Sequence, residues 1–482
     1  MISDRFRWVY CQLDTLRRYM PSSLRKALNQ LPPTLDDTYE RALEGIPNEK
    51  RQHAHRLFQC LVAAIRPLSV EELAEIFAID FDPKAEPNLL EGWRPDNPEE
   101  AVLSTCSTLI SIIEDDGSKI VQFSHFSVKE YLTSDRLQAS ELGNIRQYHI
   151  PLGAAHTILA RACLTAMLQL DEKVDKKRLA RFPLVFYAAE HWVDHVKFEN
   201  VTSQFQSMME RIFNPKMPYL AAWAWVHNID RHSARNSINE LPEHPRRPEA
   251  TALYYAALCG FSVLAKYLIV THAEDVNARG GTHGTPLYVA LYHGHLEVVQ
   301  LLLSHGADIE QRDRRIQNPL VAACLLNNIE AMRLLLKHGA AADVRFGPHA
   351  LASHHALCHG HLSVLKVLLE RNADVDSRDS DNWTPLHWAS GEGRVEVVHL
   401  LLEHGADVNA QANRDATSLS IASRLGYLDV VRVLLEHGAD VTLREDNNLT
   451  PFQLATSKGH TEIAKLLLEY DVDKLETTSR TI

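Results

Sequence analysis

The sequence predicts a mainly α-helical protein with three parts: a small helical domain carrying a two-stranded hairpin, a helical linker, and a C-terminal solenoid of stacked helix pairs. Three observations lead there. A phrase of about 33 residues recurs from Thr251 to the last residues, which marks a repeat architecture. Helix-start signals are scattered through the first half. One Asp-Gly turn, Asp115-Asp116-Gly117, sits between two short runs of β-formers.

The repeat is clearest at Thr384-Pro385-Leu386-His387, followed by Ala389, Gly393, the run Val397-Val398-His399-Leu400-Leu401-Leu402 and then His404-Gly405-Ala406-Asp407-Val408-Asn409. Equivalent starts fall at Thr251, Thr285, Asn318, Leu351, Thr417 and Thr450, giving seven units; one extra residue in the first is taken up around Ala273-Glu274-Asp275. Each residue type has a physical role. Thr at the start accepts a backbone N–H, and Pro at the first helical position forfeits no hydrogen bond. Leu and Ala bury one face of a short first helix. Gly294, Gly360, Gly393, Gly426 and Gly459 turn the chain where a positive φ costs least. The Val-Val-x-Leu-Leu-Leu run is a second helix buried against both neighbours, and His-Gly-Ala-Asp ends it. Many histidines fall at repeat positions: His354 and His387 in the opening phrase, His295, His361 and His460 after the turn glycine, and His305, His338, His404 and His437 before the helix-ending glycine. Those positions call for packing and capping. The pattern closely resembles the ankyrin repeat, over nearly half the chain. The resemblance implies recognition of a protein partner on a concave face.

Earlier residues predict helices at 5–19, 53–65 and 101–110, and a capping box at Ser69-Val70-Glu71-Glu72. Strands are expected at Ile112-Ile113-Glu114 and Lys119–Phe123, with a further helix capped by Ser127. Helices followed by such a hairpin describe a winged helix. Leu31-Pro32-x-Thr34-Leu35-Asp36, Arg66-Pro67-Leu68, Glu71-Glu72-Leu73-Ala74 and Phe123-Ser124-His125-Phe126-Ser127-Val128-Lys129-Glu130-Tyr131-Leu132 resemble fungal NACHT-type proteins. These are NLR-like signal-transduction (STAND) ATPases with C-terminal ankyrin arrays. The likeness implies that 1–30 is the helix closing an ATPase missing from this chain, and that 31–140 is a winged helix of the GPI inositol-deacylase type. A helical linker then occupies 141–249, seven ankyrin repeats 250–472 and a tail 473–482. No Gly-x-x-x-x-Gly-Lys-Ser/Thr occurs, so the chain carries no loop to cradle phosphates.

Composition narrows the function. Hydrophobic residues are 45% and charged residues 23%, ordinary for a folded protein. Net charge is −12 with no basic block, a poor match to nucleic-acid phosphates or an anionic membrane. A recognition helix over 101–113 would hold no Lys or Arg and follow Glu99-Glu100, unlike a reader of DNA. The 7 cysteines (Cys11, Cys60, Cys106, Cys163, Cys259, Cys324, Cys358) form no Cys-x-x-Cys pair, which suits reduced thiols. No apolar signal core is seen, and the longest uncharged apolar stretch, Tyr219–Ile229, is too short to span a bilayer, so the cytoplasm is the expected place. Two His pairs at helical spacing, His191/His195 and His355/His359, suggest metal ligation, but the first fits a packed linker helix and the second lies among histidines the repeat already explains. His125 is the one residue that a NACHT resemblance would bring near ADP. Gly-x-Ser-x-Gly and His-Glu-x-x-His do not occur.

The expectation is thus a non-catalytic protein–protein interaction scaffold, the recognition or regulatory arm of an NLR-like protein, with no cofactor and no metal. The rivals are the C-terminal half of an ATPase switch and a nuclear transcription regulator. The binding patch is expected to centre on Trp383, where other units carry Gly284, Gln317, Ala350, Ala416 and Leu449. Leu325 and Leu326 on one side and Arg414, Arg424 and Leu425 on the other flank it, with Tyr292 and His359 at the equivalent ends of first helices.

Overall fold

A computed structural model describes residues 34–82, 88–115, 117–140, 142–171, 174–227, 241–245, 247–311, 318–341, 345–346, 350–351 and 362–480. The helix expected at 5–19 lies outside them. The chain divides into two compact units, residues 1–248 and 249–482.

In the first unit, Thr34 and Asp37 close a capping box that starts helix Leu35–Glu44, and helix Arg51–Ala63 follows. Strand β1 (Leu68–Ser69) runs into helix Val70–Phe77, and the predicted box is present: Ser69 Oγ accepts the Glu72 N–H and Glu72 accepts the Ser69 N–H. Strands β2 (Ile110–Asp115) and β3 (Ser118–Phe123) pair antiparallel, Ile112 opposite Val121, while β1 lies on the other side of β3 with Leu68 opposite Val121. Gly117, at φ 79°, makes the turn. Helices plus this three-stranded sheet are the winged helix.

Two local expectations are corrected. The helix placed at 101–110, and read to 113 as a recognition helix, runs Pro98–Cys106, opened by Asn97 and Pro98. The β-branched stretch from Ile110 goes to the sheet, where cross-strand partners bury it better than a helix end would. Its Glu99 pairs with Lys119 of the wing at 2.5 Å. Ser127 does not cap the next helix, Phe126–Leu132. His125 does, its Nδ1 accepting the Ser127 N–H at 3.1 Å, while Ser127 Oγ lies 2.7 Å from Tyr39 Oη.

Helices Leu152–Met167 and Leu184–Lys197 pack on each other, and both reach back to the winged helix. The second is tied there twice. Its Leu184 N–H donates to the buried Glu75 carboxylate at 2.7 Å, and Tyr187 Oη accepts the Ile65 N–H at 3.2 Å. Trp192 and Trp223 are fully enclosed, 5.1 Å apart edge to face.

The second unit is the solenoid. First helices Ala252–Cys259, Pro286–Tyr292, Pro319–Leu325, Pro385–Gly391, Ser418–Leu425 and Pro451–Ser457 are followed by second helices such as Leu296–Ser304, Val395–Glu403 and Leu428–Glu436. Repeat four keeps its second helix, Leu362–Glu370. The last helix, Thr461–Arg480, runs through most of the stretch read as a tail. Thr251, Thr285, Asn318, Thr417 and Thr450 cap as expected. The histidines before the helix-ending glycine donate Nδ1–H to the carbonyl four residues back, His404 to Leu400 at 2.9 Å and His437 to Val433 at 2.8 Å, which satisfies C-terminal acceptors. A second ladder, unseen in the sequence, joins the hairpins: Asn277, Asp376 and Asn409 accept the N–H of Asp308, Asp407 and Asp440 in the following unit.

Candidate partner-binding groove

The residues around Trp383 are organised by one carboxylate. Asp379 accepts the Trp383 backbone N–H at 2.8 Å through one oxygen and the Trp388 indole N–H at 2.9 Å through the other. Asn382, at φ 61°, turns the chain between them. The two indoles meet with centroids 5.0 Å apart and planes inclined 55°, both half-buried. Trp383 lies over Gly391, where an added Cβ would stand 3.6 Å from the ring.

Under the indoles, His387 is fully buried. Its Nδ1 accepts from the Thr384 N–H at 3.1 Å and its Nε2–H donates to the Ala416 carbonyl of the next unit at 3.1 Å. Burial pushes its pKa down to about 4, so the ring is neutral and both roles are fixed. The expected packing role therefore includes a stitch between units five and six.

The next two hairpins extend the surface. Asn413 donates its N–H to the Asp381 carbonyl at 3.2 Å, and Asp446 donates to the Arg414 carbonyl at 3.0 Å, so three successive hairpin tips form one chain of backbone bonds. Arg414 and Asp415 are consecutive left-handed residues at φ 64° and 54°, a conformation that costs L-residues roughly 1 kcal/mol each. Glu445 is buried, accepts from Ser420 Oγ at 2.8 Å and lies 3.7 Å from the Arg424 guanidinium. Asp381, Asn413, Arg414, Arg424, Glu445 and Asp446 line a groove of about 880 Å³ together with the two indoles.

Of the residues singled out from sequence, the groove brings together Trp383, Arg414 and Arg424. Leu425 is exposed at the end of its helix and does not line it. Leu325, half-buried, and Leu326, exposed, belong to unit three. Tyr292, in unit two, lies against His283 with ring centroids 4.3 Å apart and planes inclined 34°. His359 lies outside the described residues, as do His354, His355 and Gln317. Sequence reasoning missed Trp388, Asp381, Asn413, Glu445 and Asp446. Trp388 stands where other units carry Tyr255, Val289, Ala322, His355, Ile421 and Leu454, so the signal was an indole at a position that holds none elsewhere.

Elsewhere, His195 is a core residue. Tyr187 Oη is 2.8 Å from its Nε2, its Nδ1 is 2.9 Å from His156 Nδ1, and burial lowers its pKa to about 3. His191 lies near Glu190 and Asp194 instead. Among the described residues no cluster of three or more His, Cys, Asp or Glu could hold a metal, and no helix is long and apolar enough to cross a membrane.

Comparison with known proteins matches these two units. The family "Ankyrin repeats (3 copies)" matches in overlapping segments that together run from 228 to 481, over half the chain. The family "GPI inositol-deacylase, winged helix domain" matches 39–142. A curated relative, "Azaphilone pigments biosynthesis cluster protein L" of Monascus ruber, is 31% identical over 302 residues, covering 60% of this chain. The match spans 62% of that protein's own length. Among solved structures, the ankyrin repeat domain of Bcl-3 is 30% identical, covering 45% of this chain and 100% of that one, with a TM-score of 0.43.

Proposed function

The chain belongs to the ankyrin-repeat family, and from that premise we propose that it is a non-catalytic recognition arm, which holds a protein partner in the groove of units five to seven. Stacked repeats give a rigid, extended surface without needing to reorder on binding. The observation that carries the reading is the Trp383–Trp388 pair, two half-exposed indoles lining a groove, with Asp379 holding the backbone N–H of the first and the indole N–H of the second. Rigid aromatics beside arginines are the usual anchors of interfaces. The buried histidines are engaged in packing bonds, which supports a module that binds rather than reacts. The winged helix ahead of the repeats supports the finer reading, an arm of an NLR-like signalling protein. The pigment-cluster name of the relative favours a second reading, in which the arm serves a biosynthetic assembly.

The test is affinity for ligands selected from a protein library against the full chain. Trp383→Ala should cost them about 2 kcal/mol or more while leaving the melting temperature nearly unchanged. Unchanged affinity would remove the groove from consideration.

A further inference from the structure

We propose that this groove receives a cationic side chain, the ammonium or guanidinium of a Lys or Arg on an extended basic segment of the partner. The inference rests on the groove being the partner site and adds the chemistry of its occupant. Three features point to a cation. The first is the pair of indoles, their centroids 5.0 Å apart and planes inclined 55°, both of which line the groove and carry a negative π face. The second is the bond from the Trp388 indole N–H to Asp379 at 2.9 Å. A carboxylate accepting from an indole N–H pushes electron density into the ring and strengthens its attraction for a cation. The third is charge. Asp381 and Asp446 stand exposed at the two ends of the groove, and Glu445 lies in its wall. Three carboxylates line the groove with two guanidiniums, that of Arg424 lies 3.7 Å from Glu445, and Asp379 adds a fourth negative charge bonded to the Trp388 indole. Arg414 sits on the hairpin between those of Asp381 and Asp446, so an anion bound to it meets two flanking negative charges. The whole chain, at net −12, adds an attractive field for a basic segment.

A random peptide library selected against the full chain tests this, with each enriched peptide titrated against variants. The expected result is one position fixed as Lys or Arg. Affinity should fall about tenfold in the isosteric double variant Asp381→Asn with Asp446→Asn, and fall again in Trp388→Leu, which keeps apolar bulk but removes the π face. Both substituted carboxylates are exposed, so the double variant should melt where the wild type does. Rising salt should weaken binding. Peptides fixed instead at Asp or Glu, indifferent to the double variant and lost on Arg414→Ala, would overturn the cation and leave the groove standing. Enriched peptides that bind Trp383→Ala as well as wild type, or no enrichment at all, would overturn both.

Discussion

At the scale of single residues, the histidines show how much depends on tautomer and burial. His387 can serve Thr384 and Ala416 at once only as the Nε2–H neutral form. Its folded pKa, about 4, lies below the 6.5 of the free group. Between those values the unfolded chain takes up a proton and the folded one does not, so stability is complete above about 6.5 and drains away as pH falls toward 4. His387→Ala should destabilise the solenoid by about 2 kcal/mol, since it leaves the buried Thr384 N–H without a partner and takes from the Ala416 carbonyl one of its two donors, the Ala412 N–H remaining. It should also flatten the acid limb, as urea melts at stepped pH would report. An unchanged slope would mean that another group sets it. The sequence placed this histidine in a packing role but could not reveal the bond to Ala416, which joins residues 29 apart. For the same reason it missed Glu445 and Asp446: a loop acid looks solvated until a neighbouring hairpin is laid beside it.

At the scale of elements, the glycine turns have two jobs that the sequence pattern merges. Gly260, Gly393 and Gly426 all have positive φ, and each also has a ring of the next unit against it. An added Cβ would meet His295 at 2.7 Å, Tyr427 at 2.7 Å and His460 at 2.6 Å. Gly459 has the same φ region but nothing within 4 Å. Gly459→Ala should therefore cost about 1 kcal/mol for conformation alone, and Gly426→Ala about 3 kcal/mol or more because the His460 ring, bonded to the Arg424 carbonyl, must also move. Equal costs in denaturant melts would show that stacking plays no part. Unit three uses Asn327 at φ 52° in this turn, so Asn327→Gly should be neutral or slightly stabilising and Asn327→Ala should cost about 1 kcal/mol. Unit four reads Leu351-Ala352-Ser353-His354, without the Thr cap or the first-turn Pro, and a missing cap costs about 1 kcal/mol. Amides over 313–360 should accordingly exchange faster than those over 384–440, and uniform protection would refute that. Periodicity made the helices legible, because each unit repeats the same local signals. The strand that displaced the helix end at Ile110 was less legible, since a short β-branched run suits either state until a partner strand is present.

At the scale of the whole molecule, the family resemblance separates a winged helix at 31–140 from a linker at 141–249, whereas the contacts place both in one unit. The reason is visible at Glu75. Sitting in helix Val70–Phe77, it is buried, receives the Leu184 N–H at 2.7 Å and pairs with Arg94 at 2.5 Å, so one carboxylate fastens the linker to the winged helix. Nothing in the local phrase Glu71-Glu72-Leu73-Ala74-Glu75 distinguishes it from a solvated helical acid. Burial raises its pKa, against the lowering effects of the Leu184 N–H and Arg94. Arg94→Leu would leave a carboxylate buried with only a backbone donor, a loss of about 3 kcal/mol at neutral pH. Without the guanidinium its folded pKa would rise further above the unfolded value, so the variant should recover stability as pH falls and lose it as pH climbs through the folded pKa. Glu75→Leu would strand the guanidinium, which is partly exposed and can reach water, and also orphan the Leu184 N–H, for about 2 kcal/mol. The double variant should be better than the sum of the two, keeping a deficit of about 1–2 kcal/mol from the orphaned N–H alone. Denaturant melts of the four proteins at two pH values complete the cycle. Additive losses, or an Arg94→Leu deficit that does not shrink on acidification, would mean that Glu75 holds the linker by packing and not by charge.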